Sequence, residues 1–335
     1  MNFSITPRRQ WLIHASVITA AMWGLGAQAQ TAAAGFPNKP VRIVVPFGAG
    51  GATDIMARTL GDKLSAKWGQ PVVVDNRPGA AGIAGSDAVA KAAPDGYTLL
   101  LSLTTSMLNN QFLFEKLPYN PQRDFAWVSL LATASVVLVT HPSVPANTGP
   151  ELMDYIGRNK GKLAYGSWGV GSTAHLAGAF MSQAKNADMN HIAYKGEAPM
   201  LQDLIGGQMQ FAFASALGAK PHIDSGKLKA IGVTGEKRML VLPNVPTLPE
   251  QGLKDDVFRT VGWVGLAAPA KTPADIVQRI SADVAAAIAL PDVRDRISAM
   301  GFLPEGTTPE QFTAIYQRDY PIWQSLVKMS GAKLD

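Results

Sequence analysis

The chain has 335 residues, of which 47% are hydrophobic and 16% charged, so its composition is globular and excludes an intrinsically disordered protein. It contains no cysteine, which excludes a disulfide framework, a thiol nucleophile and a cysteine-based metal site. The net charge is +5, but no long cluster of lysine and arginine is present, so we expect no nucleic-acid partner.

The first 29 residues have the pattern of a secretory signal peptide. A basic start with an arginine pair precedes an apolar run, and Ala27 and Ala29 form a small-x-small cleavage site. We therefore expect export to the periplasm and a mature chain that begins near Gln30. Loss of two arginines and no acid lowers the net charge from +5 to +3. The Sec and twin-arginine routes both stay open, and an uncleaved anchor is the alternative.

From there the sequence alternates strands and helices. Apolar runs and helical spacing predict a first βαβαβ unit, with strands at residues 41–45, 72–75 and 97–103 and helices at 54–67 and 85–93. A second unit begins near Val136 and ends near residue 235. A further strand at 260–269 and three helices at 273–288, 291–299 and 309–329 complete the chain.

This element order predicts an α/β fold with two units, each a parallel sheet flanked by helices. We expect lobe 1 to be discontinuous, with residues 30–133 plus 255–335, and lobe 2 to span residues 134–254. Two strands, around 136–140 and 257–267, would link the lobes. A single large sheet is the alternative architecture.

A glycine-rich loop joins the first predicted strand to the first predicted helix. Gly48, Gly50 and Gly51 carry no side chains, so a ligand can approach the backbone, and the helix start offers free N–H groups. Such a helix start binds anions, which favours a small carboxylate. The alternative is purely structural, with Thr53 or Asp54 capping the helix.

The same loop nearly matches the dinucleotide fingerprint G-x-G-x-x-G/A, and Asp75 ends the next strand where a ribose-binding acid would lie. Two features argue against a nicotinamide cofactor. Thr53 replaces the third small residue, and Asp54 puts a carboxylate where a pyrophosphate should bind. We therefore predict no cofactor, and an exported NAD-dependent oxidoreductase is the rival interpretation.

A second glycine loop, in "YGSWGVGSTAHLAG", repeats the order of strand, loop and helix start in the other unit. Its hydroxyl and N–H groups come from Ser167, Gly169, Gly171, Ser172 and Thr173. Thr105 and Ser106, which follow the third strand, would lie at the carboxyl edge where ligands bind in open α/β sheets. Two helix starts facing each other across a cleft suit a ligand with an acid at each end.

Enzyme signatures are missing from the sequence. Ser167 lies in "YGSWG", which lacks the first glycine of a nucleophile elbow. The histidines show no H-E-x-x-H spacing and no close pair, so we predict no metal site and no catalytic residue. His175 begins a predicted helix and is a candidate to face the cleft, although a structural hydrogen bond is the alternative.

The motifs "FPNKPVRIVVPFGAGGATDIMAR", "GQPVVVDNRPGAAG", "AAPDGYTLL", "HIAYKGEAPMLQDLIGGQMQF" and "VPTLPEQGL" occur in this order along the mature chain. In these motifs the sequence resembles the Bug family, the periplasmic substrate-binding proteins of tripartite tricarboxylate transporters. The resemblance implies a two-lobed Venus-flytrap fold with two hinge strands. It also implies capture of a small carboxylate between the lobes and delivery to membrane permease subunits, and we expect a monomer.

The resemblance also implies a set of ligand contacts, some of them made through ordered water. Carried onto this chain, they are Phe47, Ala49, Gly50, Gly51, Thr53, Asp54, Ser167, Gly169, Gly171, Ser172 and Thr173. Thr105 and Ser106 are expected to join them. Asp54 would orient waters or neighbouring amides rather than titrate.

Trp168 departs from the family pattern, which usually has a small residue at this position. An indole beside the anion loop would narrow a pocket or offer a flat apolar wall. We therefore hypothesise an aromatic dicarboxylate such as terephthalate or a phthalate rather than a citrate-like acid, the alternative being that Trp168 points outward. A sensor that presents its ligand to a membrane receptor is a second rival, because it would use the same closing two-lobed binder.

Overall fold

The computed structural model describes residues 1–2, 35–194 and 196–334. The predicted signal peptide and its cleavage site therefore lie almost entirely outside the described residues. Within the described ranges, no helix combines the length and the apolar character that crossing a membrane requires.

The strands of the described chain form two sheets. In chain order they are β1 (Val41–Val45), β2 (Val72–Asn76), β3 (Thr98–Leu103), β4 (Phe125–Ala134), β5 (Val137–Thr140), β6 (Ala164–Ser167), β7 (Asn190–Ala193), β8 (Phe211–Ala214), β9 (Lys229–Val233), β10 (Gly262–Pro269) and β11 (Leu303–Pro304). The first sheet has the order β11-β4-β10-β3-β1-β2, and the second has the order β7-β6-β8-β5-β9.

Helices follow most of these strands. They are α1 (Ala52–Trp68), α2 (Ile83–Ala90), α3 (Asn110–Leu113), α4 (Pro121–Asp124), α5 (Gly149–Arg158), α6 (Thr173–Ala184), α7 (Glu197–Ile205), α8 (Ala216–Asp224), α9 (Asp256–Arg259), α10 (Ala274–Ile288), α11 (Pro291–Ala299) and α12 (Pro309–Ser330). A π-helical turn, Thr105–Asn109, leads from β3 into α3. Thr308 and Gln311 form a capping box that fixes the start of α12.

In both sheets most strands run in one direction, but parallel and antiparallel pairs are mixed. In the first, β1 pairs in parallel with β2 and β3, whereas β10 lies antiparallel between β3 and β4. In the second, β6 pairs in parallel with β7 and β8, and β5 is antiparallel to β8 and β9. The two sheets with their flanking helices form the two-lobed α/β fold that the sequence predicted.

The chain crosses between the sheets at two places. The first crossing is short, because β4 ends at Ala134 and β5 begins at Val137. On the return, the Gly235 N–H donates to the carbonyl of Phe258 at 2.8 Å, and the Trp263 N–H donates to Thr104 Oγ1 at 2.7 Å. The predicted linking strand at 257–267 is wrong in its first part. Residues there form the short helix α9, and the strand begins only at Gly262.

One buried apolar cluster joins the two sheets. It includes Trp127 and Trp263 from the first sheet and Leu138 and Phe211 from the second. Helix α12 lies between them, because it packs against β4 and also against α6, the helix after β6. The sheets are therefore connected by side-chain packing as well as by the two crossings.

Candidate ligand-binding site

Both glycine loops lie on the sheet edges that the short crossing joins. In the first sheet β1, β3 and β4 run in one direction, so the loops after β1 and β3 share the edge at which β4 ends. In the second sheet Val137 pairs with Ala214 at the end of β8, and β6 runs parallel to β8. The loop after β6 therefore lies at the edge where the chain enters the second sheet.

The first glycine loop ends in an uncapped helix start. Gly51 occupies the N-cap position of α1, and no side-chain hydrogen bond caps this helix. The N–H groups of Ala52 and Thr53 occupy its first positions, where no intrahelical acceptor is available. The loop residues 48–51 are exposed. Neither Thr53 nor Asp54 acts as the N-cap, so this helix start keeps donors for an anion.

The Asp54 carboxylate holds the first loop in place through a hydrogen bond and an ion pair. Its Oδ2 atom accepts the N–H of Gly50 at 2.8 Å, and its Oδ1 atom lies 2.9 Å from Nη2 of Arg58. Burial alone would raise the pKa of Asp54, but the hydrogen bonds from Arg58 and Gly50 outweigh burial and lower it. Arg58 also donates to the side-chain oxygen of Asn76 at 3.0 Å, and Asn76 donates to the Phe47 carbonyl at 3.2 Å. The Asp54 carboxylate therefore has its contacts within the loop and with Arg58.

The turn after β3 packs against the first loop. A Cβ atom on Gly82 would lie 3.1 Å from Ser106 Cβ and 3.3 Å from Phe47 Cζ, so these three residues are in close contact. Ser106 is buried, and its hydroxyl lies 2.5 Å from that of Ser102. Thr105 is partly exposed. Ser106 therefore supports the loop from inside, whereas Thr105 has the more open position.

A close contact connects this turn to the second glycine loop. Gly171 has φ +77°, and a Cβ atom there would lie 2.4 Å from Leu113 Cδ1. Leu113 ends α3, seven residues beyond Ser106, which corresponds to about 10 Å of helix. The two glycine loops therefore lie on the same side of the molecule, with the turn and α3 between them.

The second loop is folded around the carbonyl of Gly169. This carbonyl accepts hydrogen bonds from Ser172 Oγ at 2.7 Å, Ser167 Oγ at 3.1 Å and the Ser172 N–H at 3.2 Å. Ser172 is the N-cap of α6 and accepts the His175 N–H at 3.3 Å. The next two N–H groups, of Thr173 and Ala174, have no intrahelical acceptor because of their position. They are the donors that this helix start can offer.

A pair of stacked histidines lies beneath the second loop. The rings of His175 and His191 are 4.0 Å apart at an interplanar angle of 17°. His175 Nδ1 accepts the Gly171 N–H at 3.1 Å, and His191 Nε2 lies 2.8 Å from Ser167 Oγ. Burial lowers the pKa of His175. Burial, and secondarily the charge of His175, lowers the pKa of His191 to about 4. Both rings are therefore neutral at pH 7.

The contact between Ser167 and His191 has the distance of a nucleophile and its base but not the geometry of that pair. Ser167 is completely buried, and its hydroxyl donates to the Gly169 carbonyl. While the hydroxyl proton points to the Gly169 carbonyl, the donor in the contact with Ser167 is the His191 tautomer protonated at Nε2, which cannot accept a proton from the serine. The pair is suited to holding the loop in place.

The start of α8, on the same sheet edge, already has an acceptor from the protein itself. Glu197, at the beginning of α7, accepts hydrogen bonds from both the N–H and the hydroxyl of Ser215, the N-cap of α8. Burial raises the pKa of Glu197, and the two bonds from Ser215 oppose that rise. The N-cap residue of α8 therefore has its N–H and its hydroxyl bonded to Glu197.

Trp168 lies between the loop and the core. It is half-buried and packs against the apolar cluster shared by the sheets and against the core of the second sheet. Two cavities, of about 490 Å³ and about 540 Å³, lie elsewhere in the structure. Neither is lined by a residue of the two glycine loops, so these cavities do not identify the ligand site.

The sequence did not predict three of the residues that build this site. Arg58 lies four residues after Asp54 on one helix, a spacing that could have indicated their ion pair. Asn76 lies one residue beyond the predicted strand 72–75, and in the structure it ends β2 at the carboxyl edge. His191 was passed over because the histidines are not close in sequence. The parallel pairing of β6 with β7, which aligns His191 with Tyr165, brings it to the loop.

A family model described as "Tripartite tricarboxylate transporter family receptor" matches residues 56–331. The chain belongs to this family. The match covers most of the described chain and begins just after the first glycine loop. It confirms the resemblance that the sequence motifs indicated.

Three solved structures resemble this receptor. The periplasmic binding protein BugD is 33% identical with a TM-score of 0.73, covering 89% of this chain and 99% of that chain. Rpa4515 of R. palustris, solved with adipate, is 30% identical with a TM-score of 0.78, covering 89% and 100%. MatC from Rhodopseudomonas palustris, with bound malate, is 33% identical with a TM-score of 0.73, covering 87% and 100%. These likenesses confirm the Bug-family assignment and the periplasmic-binding-protein fold.

Proposed function

We propose that this receptor captures a small dicarboxylate between its two lobes in the periplasm and delivers it to the membrane permease of a tripartite tricarboxylate transporter. The observation that carries the proposal is the pair of helix starts, α1 and α6, on the two sheet edges joined by a short crossing. Each presents N–H groups that the helix itself cannot satisfy. The adipate and malate bound by Rpa4515 and MatC are ligands of this chemical class.

The donors suffice for useful affinity. A hydrogen bond to a charged group contributes about 1.5–3 kcal/mol net, and micromolar binding needs about 8 kcal/mol. Ala52 and Thr53 on α1, with Thr173 and Ala174 on α6, provide four such donors. No arginine has to contact the ligand, because the helix dipoles add to the N–H groups at both ends.

We infer that the predicted site residues divide into two roles. Loop residues with open backbone or partly exposed side chains contact the ligand, directly or through water: Phe47, Ala49, Gly50, Gly51, Thr105, Trp168, Gly169 and Thr173. Thr53, whose side chain is buried, would contribute only its backbone N–H at the start of α1. Buried residues shape the loops: Asp54, Ser106, Ser167, Gly171, Ser172 and His175. The division rests on burial and on which polar atoms already have partners inside the protein.

The domain limits and the mode of delivery belong to the same proposal. Lobe 1 would comprise residues 30–133 and 255–335, and lobe 2 residues 134–254, with the signal peptide removed after Ala29. The lobes would close on the ligand by hinge motion at the two crossings. The receptor would act as a monomer and carry out no reaction on its ligand.

An aromatic dicarboxylate such as terephthalate is the preferred ligand in this proposal. Trp168 lies in the second loop, and its half-buried indole can present a flat wall to a planar acid. A Trp168→Leu variant keeps apolar bulk but lacks that wall. It should weaken terephthalate binding more than adipate binding, and equal losses for the two acids would count against the aromatic preference.

Titration calorimetry of the mature protein with adipate, malate, terephthalate and citrate tests the function itself. We expect at least one dicarboxylate to bind with micromolar or tighter affinity. The rival oxidoreductase is tested in parallel by NADH fluorescence. The Asp54 carboxylate beneath the first loop disfavours a pyrophosphate at that position. Binding of NADH without binding of any carboxylate would overturn the proposal.

A further inference from the structure

We propose that His191, a residue of β7 outside both glycine loops, is a positioning residue for anion binding at α6. Its Nε2–H holds the Ser167 hydroxyl, and its ring supports the ring of His175, so that the turn 169–172 keeps its N–H groups directed to the ligand. This inference rests on the proposed carboxylate function. It adds a residue that neither glycine loop contains.

The first step concerns the carbonyl of Gly169. Ser167 and Ser172 both donate their hydroxyl protons to this oxygen, at 3.1 and 2.7 Å, and so turn it toward the protein. A carbonyl turned the other way would face the ligand and repel a carboxylate. The Ser167 oxygen already accepts the Gly169 N–H at 3.3 Å, and a second donor to this oxygen would keep the serine proton directed at the Gly169 carbonyl. The His191 Nε2–H, 2.8 Å away, fills that role.

The second step concerns the stack of rings. The Tyr165 ring lies 4.9 Å from one face of His191, and the His175 ring lies 4.0 Å from His191. His175 in turn accepts the Gly171 N–H at 3.1 Å. His191 thus acts on both ends of the turn, on Ser167 through a hydrogen bond and on Gly171 through the His175 ring.

The third step separates positioning from direct contact. The polar partner of His191, Ser167, and its ring partner, His175, are both buried, and His175 connects it to the buried Gly171. His191 therefore affects the ligand through the backbone of the turn. Burial, and secondarily the neighbouring His175, lowers the pKa of His191, and burial lowers the pKa of His175.

Two substitutions distinguish the donor from the ring. His191→Phe keeps a ring in the stack but removes the N–H, whereas His191→Gln keeps a donor of similar reach. His222→Gln, in the last turn of α8, is the matched control. Affinity is measured by calorimetry at pH 7.5 with whichever of adipate, malate or terephthalate binds the wild-type protein, and thermal midpoints are recorded for each protein.

His191→Phe should bind about tenfold more weakly than the wild type, the loss expected for one hydrogen bond. His191→Gln should stay within about threefold of the wild type, and His222→Gln should be unchanged. Ser167→Ala should show the same loss as His191→Phe, and the double variant should lose no more than either alone. If His191→Phe folds poorly, Ser167→Ala still tests the same hydrogen bond, because it removes the other partner.

The outcomes are distinguishable. If the wild type binds no carboxylate, the proposed function fails before His191 is at issue. If the wild type binds and His191→Phe binds equally well, the positioning role is overturned. Equal losses in His191→Phe and His191→Gln would overturn it too, because the donor would then not be the cause.

Discussion

At the scale of single residues, Asp54 is the acid whose removal most directly tests the first loop. Asp54→Asn should lower the free energy of unfolding by about 1 kcal/mol at pH 7, a modest value because Arg58 is half exposed and its charge is screened. The pKa of Asp54 is lowered in the folded state, so the stabilisation exists above about pH 4 and disappears as the pH falls through the folded value.

Urea unfolding of both proteins at pH 7 and pH 2.5 measures the Asp54 effect. The difference between wild type and Asp54→Asn should be present at the first pH and absent at the second. Asp295→Asn, an exposed acid on α11, is the control and should match the wild type at pH 7. A difference of equal size at both pH values would mean that the Asp54 charge does not stabilise the loop.

His191 predicts a second loss of stability on acidification, in the same direction as that of Asp54 but at higher pH. Its folded pKa is about 4, below the ordinary value of about 6.5 in an unfolded chain. The unfolded state therefore binds the proton more readily, and stability that is fully present above pH 6.5 is lost as the pH falls toward 4. In His191→Gln the midpoint of urea unfolding should decline less between pH 7 and pH 4.5. Parallel declines in the two proteins would refute this assignment.

Residue types and spacing were enough to predict two glycine loops that each lead into a helix start, because the glycines are visible in the sequence. Partners from other strands could not be predicted in this way. His191 reaches Ser167 only because β7 pairs with β6, a register that one sequence does not determine. The burial of Ser106 and Ser167 could not be predicted either, because a serine side chain does not itself indicate whether it is buried.

At the scale of elements, the contact between the second loop and α3 leaves no room for a side chain at Gly171. Gly171→Ala would force an alanine into a left-handed backbone conformation and would bring its methyl group against Leu113. We therefore expect a loss of about 2–4 kcal/mol in unfolding free energy. Gly161→Ala also has positive φ, but open space surrounds that position, so its loss should be about 1 kcal/mol. Urea denaturation compares the two variants.

A double-mutant cycle isolates the contact itself. Leu113→Ala alone creates a cavity in a buried region and should destabilise the protein. Combined with Gly171→Ala, however, it leaves room for the new methyl group, so the double variant should lose less than the sum of the two single losses. Strictly additive losses would show that Gly171 and Leu113 do not meet.

Elements with a clear period were predictable, and those without one were not. The helices at α1, α6 and α10 follow apolar spacing and were predicted within a few residues of their ends. The sequence did not predict β4, because its run FAWVSLLATA is mostly buried and shows no regular alternation of polar and apolar residues. It did not predict α8 either, because Gly218 and Pro221 have low helix propensity. The helix forms nevertheless, because tertiary packing overrides this low propensity.

At the scale of the whole molecule, the two-sheet division followed from the order of elements, but the connection between the sheets did not. The sequence predicted the last helix at 309–329 without showing which elements it packs against. In the structure α12 packs against β4 and α6, elements of different sheets. A helix that closes the chain in this way reduces the independence that two separate α/β units would have.

The shared apolar cluster predicts that the two lobes unfold together. Trp127 and Trp263 belong to the same buried cluster as Leu138 and Phe211, so unfolding one sheet would expose apolar surface on the other. Differential scanning calorimetry of the ligand-free mature protein should show one transition, with a calorimetric to van't Hoff enthalpy ratio of about 1. Phe211→Ala should move that transition to lower temperature without splitting it, because the cavity weakens both lobes at once. Two resolved transitions in the wild type would mean that each lobe is stabilised by its own core and that α12 does not couple them.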